Sequence, residues 1–130
     1  MSPVRLPEEL RYTETHEWVR SDGEELVVGI TDYAQGELTD IVFVDLPKGP
    51  KDVRAAEAVL VLESVKTVSD VYAPIAGAVV TGNAELKAHP ELVNKDPYGA
   101  GWLYRLKPST PYDPSKLLTA DAYRAKFGLT

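Results

Sequence analysis

At 130 residues and 14.3 kDa the chain is long enough to bury one core and too short for two substantial ones, so a single domain spanning 1–130 is expected. With 44% hydrophobic and 26% charged residues and a mean hydropathy of -0.20, the composition is that of an ordinary globular protein. The 20 Asp and Glu against 14 Lys and Arg give a net charge of -6, which repels a phosphate backbone and argues against nucleic acid as a partner. The absence of cysteine excludes disulfides, thiolate metal ligands and Cys nucleophiles, so any redox sulfur has to be imported.

The opening segment, Met1 to Arg11, has no apolar stretch of signal-peptide length, and its two arginines are balanced by Glu8 and Glu9; a cytoplasmic protein is expected. Every apolar run is far shorter than a membrane span, so no insertion into a membrane is expected. Tyr12 to Arg20 alternates loosely, Ser21-Asp22-Gly23 has turn chemistry and Glu25 to Ile30 is rich in β-formers, which together predict a hairpin. The segment DYAQGEL after Thr31 reads as one brief helix capped by Thr31 or Asp32, although Gly36 weakens it. Asp40 to Leu46 is a strand by its β-branched and aromatic content, ending in a loop over Pro47 to Lys51.

Ala58 to Leu62 and Val68 to Tyr72 are two further apolar arms, separated by the polar link ESVKT. Pro74 and Gly77 punctuate the next stretch, and Ala78 to Asn83 reads as a strand and turn. Leu86 to Tyr98, holding Pro90 and Pro97, reads as loop; Trp102 to Leu106 reads as a last strand before Pro108, Pro111 and Pro114. From Thr119 a cap, good helix formers and the stop at Gly128 predict a C-terminal helix within a helical tail over about 115–128. Many short strands at turn-punctuated intervals predict a mainly β fold, a sandwich or flattened barrel with short helices.

The chemistry concentrates in the hairpin at about 58–73. A lysine at its tip, Lys66, is exposed, with an amine accessible to an enzyme that acylates it. Taken alone, a lysine in a turn is more often a solvated charge than a functional group. His16 and His89 lie far apart with no HxH or HExxH spacing, so no metal site is assigned. Gly99 and Gly101 are not followed by the Lys-Ser or Lys-Thr of a phosphate loop, and Trp18 and Trp102 read as packing residues.

The stretches HEWV (His16 to Val19), GITDYAQ (Gly29 to Gln35), DIVFVDLP (Asp40 to Pro47), ESVKTVSDVYAPIAG (Glu63 to Gly77) and NKDPYGAGWLYRLKP (Asn94 to Pro108) occur in that order. In them the chain resembles the H protein family of the glycine cleavage system. The resemblance implies a barrel-sandwich hybrid with a helical C-terminal tail, and a lipoyl group bound as an amide to Lys66, with Glu63, Ser64 and Val65 forming the hairpin context that presents it. It implies a carrier that catalyses nothing itself. The lipoyl disulfide would receive an aminomethyl group from a pyridoxal-phosphate glycine decarboxylase and pass it to a tetrahydrofolate-dependent aminomethyltransferase. A dihydrolipoyl dehydrogenase would then collect the electrons, and a lipoate ligase or lipoyl transferase would attach the group in the first place.

The resemblance further implies a surface cleft in which the loaded arm is parked, at positions matching Glu17 and Asp70, with Thr15 and Ser69 beside them. Glu17 reads equally as an exposed strand residue, and Asp70, placed by period two outward with Val68 and Tyr72, as a solvated charge. A biotinyl carrier is the nearest alternative, but its lysine typically lies between methionines, whereas Lys66 lies between Val65 and Thr67. An added role in relaying lipoate to other complexes, and an unmodified interaction scaffold, stay open as further readings.

Overall fold

The alternation read in the β-rich segments is realised as two antiparallel sheets facing each other in a computed structural model, which describes residues 3–129. The strands are β1 (Arg11–Tyr12), β2 (Glu17–Asp22), β3 (Glu25–Ile30), β4 (Ile41–Asp45), β5 (Lys51–Val53), β6 (Ala58–Ser64), β7 (Val68–Tyr72), β8 (Gly77–Gly82) and β9 (Tyr104–Pro108). The larger sheet runs β1-β2-β3-β9-β8-β5 and the smaller β4-β6-β7, with β6 in its centre. Val44, Leu60, Leu62 and Val71 of the small sheet pack against Val28, Val79, Tyr104 and Leu106 of the large one. Burying these side chains at roughly 25 cal/mol per Å² of apolar surface is what joins the layers. The mainly β sandwich with short helices is as the sequence predicts.

Helix α1 (Asp32–Leu38) crosses from the large sheet to the small one. Its cap is Thr31, whose hydroxyl accepts the Ala34 N–H at 3.1 Å. The C-terminal helix, here α4 (Ala120–Lys126), is capped in the same way by Thr119 and ends near Gly128, which takes φ +64°. A second core gathers there: Leu6, Leu10, Tyr12, Trp18, Val27, Ala120 and Tyr123 are buried together, so the N-terminal segment and α4 close one end of the large sheet.

Four segments differ from expectation. Tyr12 to Arg20 is not one arm: His16 has φ 74°, a left-handed conformation that turns the chain between β1 and β2. The loop after Leu46 is shorter than predicted, because β5 begins at Lys51 and adds an edge strand beside β8 (Lys51↔Val79). The last strand starts at Tyr104, two residues later than expected. Leu86 to Tyr98 is not all loop. It contains the single-turn helices α2 (Glu85–Ala88) and α3 (Leu92–Lys95), because Leu86 and Val93 are both fully buried and each drives one turn into the core.

One close approach packs β2 against β3 beside the second core. Trp18 pairs with Gly29 across β2 and β3, and a Cβ at Gly29 would stand 2.6 Å from the indole. The ring therefore lies flat over β3 and donates its Nε1–H to the Pro97 carbonyl at 2.9 Å.

Candidate functional site

The link between β6 and β7 is a turn that orders itself. The Ser64 N–H donates to the Thr67 carbonyl at 2.8 Å, and the Ser64 hydroxyl accepts from the N–H groups of Lys66 at 3.1 Å and Thr67 at 3.0 Å. The Val65 N–H donates to the Asp40 carbonyl at 3.0 Å, anchoring the turn to the chain that leaves α1. Glu63 faces Val68 across the hairpin and is exposed. None of these bonds uses the Lys66 side chain. Its amine is exposed and, among the described residues, donates only to the Glu37 carbonyl at 3.3 Å and is within ion-pair distance of no carboxylate. Val65 and Val68, 68% and 63% exposed, flank it as apolar neighbours that lie mostly open to solvent.

Beside the tip lies a cleft of about 280 Å³ between α1, the start of β2 and the hairpin, with Thr15, His16, Glu17, Glu37, Ser69 and Asp70 among its walls. The four residues that the family resemblance implies for an arm cleft, Glu17, Asp70, Thr15 and Ser69, all line this one. Glu37, whose carbonyl receives the Lys66 amine, belongs to the same wall. A larger depression of about 460 Å³ lies between the 46–51 loop and β6; it includes Asp70 but reaches neither Lys66 nor Glu17.

Glu17 is not an exposed strand residue: it is 1% exposed, because the turn at His16 directs it inward. Its Oε1 accepts from the hydroxyls of Thr13 and Thr15, each at 2.5 Å, and its Oε2 from the Tyr72 N–H at 3.3 Å. The Thr13 hydroxyl in turn accepts the Glu17 N–H at 3.0 Å. Burial pushes the carboxyl up from its ordinary pKa, and the hydrogen bonds from Thr13, Thr15 and Tyr72 partly offset that rise. Asp70 stands opposite Val61 on β7 and is exposed at the mouth, as its outward placement with Val68 predicts. Thr13, the Tyr72 N–H and Glu37 are members of the site that the sequence reading passes over. The period-two run Thr13, Thr15, Glu17 is the signal that could have found the first of them.

A flattened sandwich of two antiparallel sheets, with an exposed lysine on the tip of a hairpin, has the architecture of a lipoyl-type carrier domain. The family model for the glycine cleavage H-protein matches residues 10–128. The chain is 52% identical over 119 residues to the glycine cleavage system H protein of a Thermus thermophilus strain, covering 92% of this chain and 93% of that one. It is 49% identical over 122 residues to that of Bacteroides fragilis, covering 94% and 97%. Among solved structures, a glycine cleavage system H protein from Mycobacterium marinum superposes with a TM-score of 0.85 at 40% identity, over 95% of this chain and 100% of that one. The chain belongs to the glycine cleavage H-protein family, the lipoyl carriers that pass intermediates between the enzymes of the glycine cleavage system.

Proposed function

We propose that Lys66 is the lipoyl attachment site and that the cleft holding Glu17 and Asp70 shelters the loaded arm. The observation that carries this reading is the continuity of the two: the Lys66 amine ends against Glu37, a wall residue of the cleft that contains the buried Glu17. The residues present fit the group. Acylating Lys66 breaks no ion pair among the described residues, and the turn keeps its shape because Ser64 and the backbone, not the amine, hold it. When bound, the lipoyl group supplies a disulfide that opens to carry the one-carbon unit and closes again on oxidation.

The protein's own residues then do three things. The Ser64–Thr67 turn presents the amine to a lipoate ligase or lipoyl transferase. The cleft walls exclude water. Glu17 offers a fixed negative end: a carboxylate has about four lone-pair sites and three donors already occupy this one, leaving room for one further donor such as a protonated amine. Asp70, at the mouth, adds attraction of the same sign. Such a chain catalyses nothing itself. It raises the effective concentration of its cargo at each enzyme it visits: a pyridoxal-phosphate glycine decarboxylase, an aminomethyltransferase and a dihydrolipoyl dehydrogenase, in the cytoplasm. Among the described residues no helix is long and apolar enough to cross a membrane.

Intact mass before and after incubation with lipoate and a lipoate ligase tests the attachment, and distinguishes a lipoyl from a biotinyl adduct. The wild type should gain one lipoyl group and Lys66→Arg none. Lipoylation of the variant would overturn the assignment. The shelter is tested by loading wild type, Glu17→Gln and Asp70→Asn, removing the decarboxylase, and timing the release of ammonia and formaldehyde. A hydrogen bond to a carboxylate in a partly dry cleft is worth about 1–3 kcal/mol, so roughly ten-fold faster loss is expected from Glu17→Gln and less from the wetter Asp70→Asn. Equal loss from all three would overturn the shelter.

A further inference from the structure

His16 stands immediately before the buried acid, and its conformation needs support. At φ 74° it is a non-glycine residue in left-handed backbone, a state in which histidine is uncommon though enriched over most side chains. Backbone bonds place it: its N–H donates to the Thr13 carbonyl at 3.2 Å and its carbonyl accepts the Thr31 N–H at 2.9 Å. Its ring is enclosed by aromatic neighbours from two helices, Tyr33 of α1 at 5.1 Å and Tyr123 and Phe127 at the α4 end at 5.7 and 4.6 Å between centroids. His16 is also among the residues that line the cleft.

Satisfying every buried hydroxyl assigns a direction to the hydrogen bonds of this cluster. Thr31 is wholly buried and its hydroxyl oxygen accepts the Ala34 N–H, so its own hydrogen needs an acceptor. The Tyr123 oxygen, 2.9 Å away, is the one it has among the described residues. Tyr123, receiving that hydrogen, directs its own to His16 Nδ1 at 2.6 Å. An imidazole that accepts at Nδ1 carries its proton on Nε2 and is neutral. The opposite direction, with Nδ1 donating to Tyr123, would leave one buried hydroxyl hydrogen, that of Tyr123 or that of Thr31, without a partner among the described residues.

We infer that His16 is a positioning residue for the arm cleft, held as the neutral Nε2–H form by the relay Thr31 to Tyr123 to His16, so that the C-terminal helix fixes the turn that delivers Glu17. This inference rests on the reading of the cleft as the arm's shelter. It gives α4, which contributes no residue to the cleft wall, a function in building it. The titratable groups facing the ring are Tyr33 and Glu37 from α1 and Tyr123 from α4. Burial pulls the imidazole below its ordinary pKa, and the charge of Glu37 opposes that shift.

The first test uses the unlipoylated full-length protein. Nitrogen-15 spectra of the imidazole should show Nδ1 unprotonated and Nε2 protonated at neutral pH. Tyr123→Phe keeps the ring that packs on His16 and removes the hydroxyl, so it should mix the two tautomers and raise the titration midpoint of His16. A protonated Nδ1 in the wild type, or no change in Tyr123→Phe, would overturn the inference. The second test loads the lipoylated wild type, Tyr123→Phe and Glu17→Gln and times release of ammonia and formaldehyde. Tyr123→Phe is expected to lose its cargo several-fold faster than wild type, with lipoylation unchanged. Faster loss from Glu17→Gln but not from Tyr123→Phe would overturn the positioning role while leaving the shelter intact. Unchanged loss from both would overturn the shelter itself, and the positioning role with it.

Discussion

The Ser64–Thr67 turn hangs on backbone and serine hydrogen bonds and leaves its lysine side chain to one carbonyl, whereas the turn that delivers Glu17 commits both oxygens of its acid to three donors. The Lys66 amine reaches the Glu37 carbonyl, Glu37 and Glu17 both line the cleft, and the amine and the acid are held in opposite ways. A carrier's attachment point gains from freedom, because its arm has to reach several enzymes. A receiver of charge gains from fixity, because donors already oriented need no reorganisation when the amine arrives. Side-chain ordering costs up to about 2 kcal/mol for a lysine, which the chain avoids at the tip.

The largest effect is expected at the tip. Lys66→Arg is expected to abolish lipoylation, read by intact mass, while moving the thermal midpoint by no more than about 2 °C, since an exposed side chain with one long hydrogen bond contributes little stability. Glu17→Ala is the converse. Lipoylation should persist, but two hydroxyls and an N–H lose their buried acceptor, a loss of about 1–3 kcal/mol that lowers the midpoint by roughly 3–10 °C. A stable Glu17→Ala protein would mean that water replaces the carboxylate without cost and that the receiver is not fixed after all.

A smaller effect is expected beneath the tip, which is free only above its own foundation. Asn94 donates to the Thr39 carbonyl at 2.8 Å and to Gln35 Oε1 at 3.1 Å, and accepts the Ile41 N–H at 2.8 Å. It thereby secures Thr39, at φ 63°, next to the Asp40 carbonyl that anchors Val65. Asn94→Ala should cost about 1 kcal/mol and speed amide exchange at Ile41 and Val65 without altering the lipoyl mass gain. Exchange unchanged at Val65 would show that the turn does not depend on this support.

The tip is legible in the sequence because it depends on local signals: two β-rich arms and a short polar link suffice to place Lys66. The lipoyl chemistry comes from the resemblance, not from spacing. Glu17 stays ambiguous, since whether a strand residue faces in or out depends on register, and the left-handed His16 that sets it carries no glycine to announce it. Leu86 to Tyr98 defeats a local reading for a related reason. Its prolines suggest loop, while the burial of Leu86 and Val93 that stabilises two single-turn helices is a tertiary fact. The pairing of His16 with Tyr123 spans 107 positions of sequence, beyond any local pattern.

The subtlest effect separates burial from hydrogen bonding at Glu17. Its carboxyl is raised above the ordinary carboxylate value of about 4.3. Between that unfolded value and the folded one, the native state binds more protons than the unfolded chain, so this group's contribution to stability is full at low pH and is lost as pH rises through the folded pKa. Glu17→Gln has no such proton. Exposed Asp22, Glu57 and Asp113 are shifted down by Arg105, the Arg54 N–H and Ser115 respectively, and His16 is shifted down by burial; these groups add stability as pH rises. They are present in both proteins, so subtracting one melting curve from the other isolates Glu17. Measured from pH 4 upward, the variant should gain on the wild type as pH increases and level off once Glu17 is ionised. A difference that falls with pH would show that the donors of Thr13, Thr15 and Tyr72 outweigh burial, making Glu17 a carboxylate that the fold prefers charged even before any cation enters the cleft.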